Sequence, residues 1–137
     1  MATSIHRAGR LEDIADAIIE AKSGEADVAL NVLATPLFFN NRALIFAKVA
    51  EVNLPAIYQW PEMAEAGGLA AYGPRIVGIF RTQVSRQMIK ILQSTPVAEI
   101  PVEQPTAFEL VINLRTAKSS KLDLAPNFIT RADKVIE

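Results

Sequence analysis

The chain has 137 residues, 14 basic and 15 acidic side chains and a net charge of −1. That length suits a single domain with a core large enough to fold without a disulfide or metal, and the balanced charge argues against a nucleic-acid binder, which normally carries a basic excess or stripe. With no cysteine and only one histidine, His6, thiolate nucleophiles, Cys-ligated metals and iron–sulfur clusters are excluded, and a His-based metal site or triad is not expected. The longest uncharged run, Val28 to Asn41, covers 14 residues and contains Pro36, short of the roughly 20 needed to cross a bilayer.

In chain order, residues 3–6 read as a short strand. RLEDIADAIIEAK places Leu11, Ile14, Ala15 and Ile18 on one helical face, and Gly24 is expected to stop that helix. DVALNVLA (27–34) is an apolar run between charge and proline, the signature of a strand buried on both faces. PLFFNNRALIFAKVAEVN has helical spacing, PAIYQW (55–60) is a second buried-type strand, and PEMAEAGG is a short helix ended by glycines. LAAY (69–72) is a third strand, and Gly73-Pro74 opens the longest helix. Along that helix Val77, Phe80, Val84, Met88 and Ile91 repeat every three or four residues. Pro96 to Pro105 is an extended connection. FELVINL (108–114) is a last strand, followed by a short helix near TAKSSKL and a terminal helix near PNFITRADKVIE.

This alternation predicts an α/β fold built of βαβ units, an open parallel sheet with helices on both faces. The chain is expected to be one lobe, with core units over about 1–95 and a crossing strand plus C-terminal helices over about 96–137. Ligands of such sheets bind outside the carboxyl ends of the strands. Three junctions lie there: Leu33-Ala34-Thr35-Pro36, Tyr58-Gln59-Trp60-Pro61 and Ala71-Tyr72-Gly73-Pro74. Each places a proline in the first turn of the next helix, with Thr35 as an N-cap, so free amides converge on one rim that can hold a carboxylate or phosphate. Tyr58, Trp60 and Tyr72 add aromatic faces suited to an amino acid or small organic acid, or else pack in the core. Strand alternation sends Tyr58 and Trp60 to one face and Gln59 to the other.

Other signals are weaker. Gly67-Gly68 lacks the spacing of a dinucleotide fingerprint or P-loop. Glu62 and Glu65, three apart without a nucleophile or partner base, read as a solvated helix face. The serines have no G-x-S-x-G context, and no catalytic, metal or cofactor site assembles. A phosphorylatable receiver or a flavin protein of flavodoxin type would need acidic residues or a Ser/Thr/Gly-rich phosphate loop at the junctions, and neither is there. The amino-terminal stretch MATSIHRAGRLEDIADAI has no apolar signal-peptide core, so the chain taken as a full gene product is expected to stay in the cytoplasm.

ATPLFFNNR (34–42), LPAIYQWPEMAEAGGLAAYG (54–73), PVEQPTAFELVINLRTAKSSKLDLAP (101–126) and RADKVIE (131–137) together resemble the carboxyl-terminal half of a bacterial ABC-transporter substrate-binding protein. The branch resembled includes binding proteins for tryptophan and tyrosine, and the likeness runs from about residue 10 to the end. It implies the second of two Rossmann-like lobes that close on a solute, a membrane permease as partner, no enzymatic activity, and a periplasmic location for the family. Carried over by the resemblance, the ligand residues are Thr35, Pro36 and Leu37, then Tyr58 and Gln59, then Gly68, Tyr72 and Gly73. Gln104-Pro105-Thr106 resembles the hinge crossing. The family pattern differs at the rim, with Glu and Arg around the Trp where this chain has Gln59 and Pro61, and Gly-Asp where it has Ala34-Thr35. Both differences remove charge from the expected ligand edge. A lone lobe would expose that edge and the hinge strand, so self-association into a homo-oligomer is expected. The alternative function is a truncated orphan domain that self-associates without transport activity.

Overall fold

In a computed structural model, which describes residues 3–23 and 28–137, five short strands form one sheet in the order β1-β2-β3-β4-β5. The strands are β1 (Leu30–Val32), β2 (Ala56–Tyr58), β3 (Ala70–Gly73), β4 (Glu109–Asn113) and β5 (Lys134–Ile136). The first three run parallel, in register Val32↔Tyr58 and Tyr58↔Ala71, and β5 runs parallel to β4. Successive residues are buried on β3 (Ala70, Ala71) and on β4 (Val111, Ile112, Asn113). Neighbours on a strand point to opposite faces, so both faces of the sheet are covered.

The helices follow the apolar spacing. α1 (Asp13–Ser23) buries Ile14 and Ile18, while Leu11 falls before its start and stays half exposed. The expected stop at Gly24 lies outside the described residues. The helix after Thr35 breaks at Asn41 into α2 (Pro36–Asn40) and α3 (Arg42–Glu51), and α3 buries Ile45 against the core. α4 (Pro61–Glu65) packs across β2, β3 and β4. Asn113 joins these layers from inside: its Nδ2 donates to the Ala64 carbonyl at 3.0 Å while its Oδ1 accepts from the Thr116 amide, capping α7 (Leu114–Ser119).

Three expectations are corrected. β4 runs antiparallel to β3, with Gly73 opposite Glu109. The cause is the long excursion between them: α5 (Ile76–Ile79), a π-helical stretch over Phe80–Val84 and α6 (Ser85–Leu92) carry the chain away. The segment after Leu92 brings it back, as the Arg86–Glu103 ion pair at 3.2 Å records. β4 therefore starts at the edge where β3 ends. Second, the terminal stretch is helical only over α8 (Pro126–Ile129). Its last residues form β5, because the Asp133 amide and carboxylate exchange hydrogen bonds with the Leu110 backbone (both within 2.9 Å) and lay the chain along β4. Third, residues 3–6 form no strand. A cavity of about 540 Å³, lined by residues such as Ile5, Ile18, Leu30 and Val32, separates that segment from β1.

Candidate functional site

Because β1, β2 and β3 are parallel and adjacent, their carboxyl ends share one edge of the sheet. Thr35, Pro36 and Leu37 follow β1, Gln59 follows β2, and Tyr72 and Gly73 end β3. Thr35 is the N-cap of α2, its hydroxyl accepting from the Phe38 amide at 3.1 Å, and Pro36 and Pro61 take the first turns of α2 and α4. These placements follow from sequence chemistry, since a threonine side chain satisfies an orphan amide and proline needs no partner there. Pro74 differs: the third helix starts at Ile76 with Arg75 as its cap, so that proline lies outside it.

Gly73 and Gln59 are the tightest point of the rim. A β-carbon on Gly73 would be driven into the Gln59 carbonyl oxygen, so only glycine lets the second and third junctions close on each other.

Two carried-over residues leave the rim. Tyr58 is 2% exposed, with its ring edge-on to Phe46 of α3 at 5.3 Å. Gly68 lies behind it, where an added β-carbon would come 2.6 Å from the Tyr58 ring. The pair is a packing contact between β2 and the loop after α4. The Tyr58 hydroxyl has no hydrogen-bond partner among the described residues, and burial pushes its pKa up, so it stays neutral. Leu37 sits at the right edge but packs onto the core.

Two aromatic pairs flank the rim, and the first of them, Phe39 with Trp60, also packs partly against the core as Leu37 does. Trp60 meets Phe39 of α2 edge-on at 5.2 Å and 81°, and Arg42 lies over the Phe39 ring at 5.1 Å. At the other end Tyr72 and Phe108, both about half exposed, stack at 5.7 Å where the chain returns into β4. Of the two carboxylates read as a solvated face, Glu65 is exposed but ion-paired and Glu62 is partly buried. Glu62 Oε1 accepts from the Ile76 amide at 3.1 Å, tying the second junction to the root of α5, and its Oε2 is buried without a partner among the described residues. Glu65 accepts from Arg75 and Lys134, each at 2.9 Å, and Arg75 also donates to both oxygens of Glu109. Hydrogen bonds from Arg75 and then Lys134 hold the Glu65 carboxyl down to about 2. Sequence spacing shows the two carboxylates one turn apart but not Arg75, which the fold delivers from β3.

The arrangement offers aromatic surface, amides and charge for holding a small molecule. Among the described residues no group of three or more His, Cys, Asp or Glu is placed to hold a metal ion. The model of the ABC transporter substrate binding protein family matches residues 8–136. No curated protein matches the chain. Among solved structures, a conserved domain protein from Vibrio cholerae is similar with TM-score 0.80 and 17% identity, over 90% of this chain and 41% of that one. An ABC domain from Streptococcus pneumoniae in complex with L-Trp has TM-score 0.78 and 18% identity, over 91% and 41%. A ligand-free, open substrate binding protein with adhesive properties from Clostridium difficile has TM-score 0.56 and 20% identity, over 91% and 41%. The chain thus spans about two fifths of the length of these structures. With the family pattern matched over nearly every residue, this chain belongs to the ABC transporter substrate binding protein family.

Proposed function

We propose that the chain is the carboxyl-terminal, solute-binding lobe of an ABC importer's binding protein, holding a small solute such as an aromatic amino acid at the rim of β1, β2 and β3. The observation that carries this reading is the rim itself: Thr35, Gln59, Trp60, Tyr72 and Gly73 lie at the carboxyl ends of three parallel strands, where such sheets take ligands. The structural likeness to a domain solved with L-Trp supports the solute class. The lobe carries solute and does no chemistry on it; its partner is a membrane permease, and its place is outside the cytoplasmic membrane. Among the described residues no helix is long and apolar enough to cross a membrane.

One wall of a two-sided site holds a ligand weakly, since lobe closure supplies the opposite contacts. A dissociation constant of ~1 mM is expected for an aromatic amino acid. The test is a thermal-shift and Trp60-fluorescence screen of the twenty amino acids at millimolar concentration. Saturable responses confined to a few aromatic or carboxylate-rich members are the expected result. Silence from all twenty, repeated on the lobe joined to an amino-terminal lobe, would sink the reading.

A second reading, a self-associating domain without transport activity, is favoured by one observation. Of the 14 exposed large apolar side chains among the described residues, the ten from Tyr72 to Phe108 lie in the excursion and its two ends. That surface calls for a partner.

A further inference from the structure

We propose that Arg42 anchors a carboxylate on the solute, so that the rim selects anionic or zwitterionic aromatic molecules over neutral or purely cationic ones. This deepens, and rests on, the solute-binding reading above. Arg42 opens α3 just past the break at Asn41, three residues after Phe39 of α2. A helical side chain leans toward the amino terminus of its helix, which tips this guanidinium back toward the strand ends. Its contacts display that lean: it lies over the Phe39 ring, and Nη1 donates to the Phe39 carbonyl at 3.0 Å. Phe39 in turn meets Trp60 at the end of β2. Cation over ring and ring edge-on to ring thus link the first two junctions.

Its pairing sets Arg42 apart. Arg10, Arg75 and Arg86 each pair with carboxylates. Arg7, Arg81, Arg115 and Arg131 form no ion pair among the described residues but are exposed to water. Arg42 alone is partly buried and pairs with no carboxylate among those residues. A guanidinium keeps its charge at every physiological pH and carries five N–H donors. The Phe39 carbonyl uses one end, and the ring holds the plane still. What remains is a pre-aimed fork, the geometry that takes a carboxylate through two parallel hydrogen bonds. The opposite charge sits at the second and third junctions, where Glu62 keeps one buried oxygen without a partner.

Trp60 is the only tryptophan, so a nitrogen-15 spectrum contains one indole resonance, placed at the Arg42–Phe39 stack. The probes are L-phenylalanine, 3-phenylpropionate, which lacks the ammonium, and phenethylamine, which lacks the carboxylate. The first two are expected to move that resonance saturably, with phenethylamine at least tenfold weaker. Arg42→Gln should weaken the two carboxylates tenfold or more and leave phenethylamine within twofold. Arg42→Lys, which keeps the charge and loses the fork, should fall between, and it carries the test if the glutamine variant loses its dispersed spectrum. Carboxylate affinity within twofold of wild type in a folded Arg42→Gln, or phenethylamine binding as tightly as the acids, overturns the anchor while the solute reading stands. If none of the three probes moves the resonance although another amino acid raises the melting temperature, the anchor alone falls. If no amino acid binds at all, the solute reading falls and the anchor with it.

Discussion

The Tyr58 side chain marks where the rim ends and the core begins. Its ring is enclosed by Phe46 and Gly68, and its hydroxyl is buried without a partner among the described residues. A buried hydroxyl left unpaired carries a desolvation penalty of about 1–3 kcal/mol that an isosteric apolar group avoids. Tyr58→Phe should therefore leave stability unchanged or raise it by about 1 kcal/mol, read as the urea midpoint. It should also leave solute affinity within twofold, because the ring is buried against Phe46 and Gly68. A variant that binds tenfold more weakly at unchanged stability would return Tyr58 to the site. Alternation along PAIYQW shows that Tyr58 and Gln59 point oppositely, but not which of them faces the core. That choice depends on α3 packing Phe46 over one face of the sheet, a contact between residues 12 positions apart that no local pattern contains. Gly73 is the reverse case, a glycine whose role depends wholly on the Gln59 carbonyl arriving beside it.

At the scale of elements, the charged cluster under the rim fixes how the excursion leaves and re-enters the sheet. Arg75 stands just beyond β3 and Glu109 begins β4, while Glu65 ends α4, so one guanidinium joins three elements. The Glu65 carboxyl is held down to about 2 from an ordinary 4.5. A carboxyl with a depressed folded pKa contributes stability that is present above the unfolded value and lost as pH falls through the folded one. The wild-type chain should lose this contribution between about pH 4.5 and pH 2. Solvent screening around the partly exposed group keeps it near 1 kcal/mol, short of the full linkage value. Urea midpoints from pH 6 to pH 2.5 should fall less steeply for Glu65→Gln than for wild type. Parallel slopes would show the cluster to be energetically idle. The same elements show what was legible beforehand. Apolar runs mark β1 to β4, with proline or glycine flanking the first three, but the expected burial of β1 on both faces fails at Asn31, which is exposed. The antiparallel β3–β4 pair was hidden because strand direction there is set by where the excursion returns, 36 positions after Gly73. β5 was hidden because KVI is too short to show a period of two, and its strand character comes from Asp133 bonding the Leu110 backbone.

For the whole molecule, the excursion is the part that the sheet does not explain. None of the residues from Ile76 to Leu92 is buried, although Phe80, Met88 and Ile91 lie on a helix with clear apolar spacing. An amphipathic helix normally gains its stability by covering its apolar stripe against a core. Here that stripe stays exposed, as do Tyr72 and Phe108 at the two ends of the excursion. At micromolar concentration the chain should self-associate through this surface, and sedimentation equilibrium should give a mass that rises with loading concentration toward the dimer. The triple substitution Phe80→Gln, Met88→Gln and Ile91→Gln should return it to 14.9 kDa. Its effect on the stability of the lone lobe should stay within roughly 0.5 kcal/mol per site, since exposed side chains away from packing contribute little to the folded chain. A monomeric wild type at high micromolar concentration would sink self-association and leave the transport reading without a competitor. A dimer that survives the substitution would place the contact elsewhere, the free edge of β1 beside the 540 Å³ cavity being the next surface to alter. The three substituted side chains lie on different elements from Arg42, Phe39 and Trp60, although the exposed surface they belong to reaches the rim at Tyr72. Association and solute capture are therefore separable by mutation in one protein.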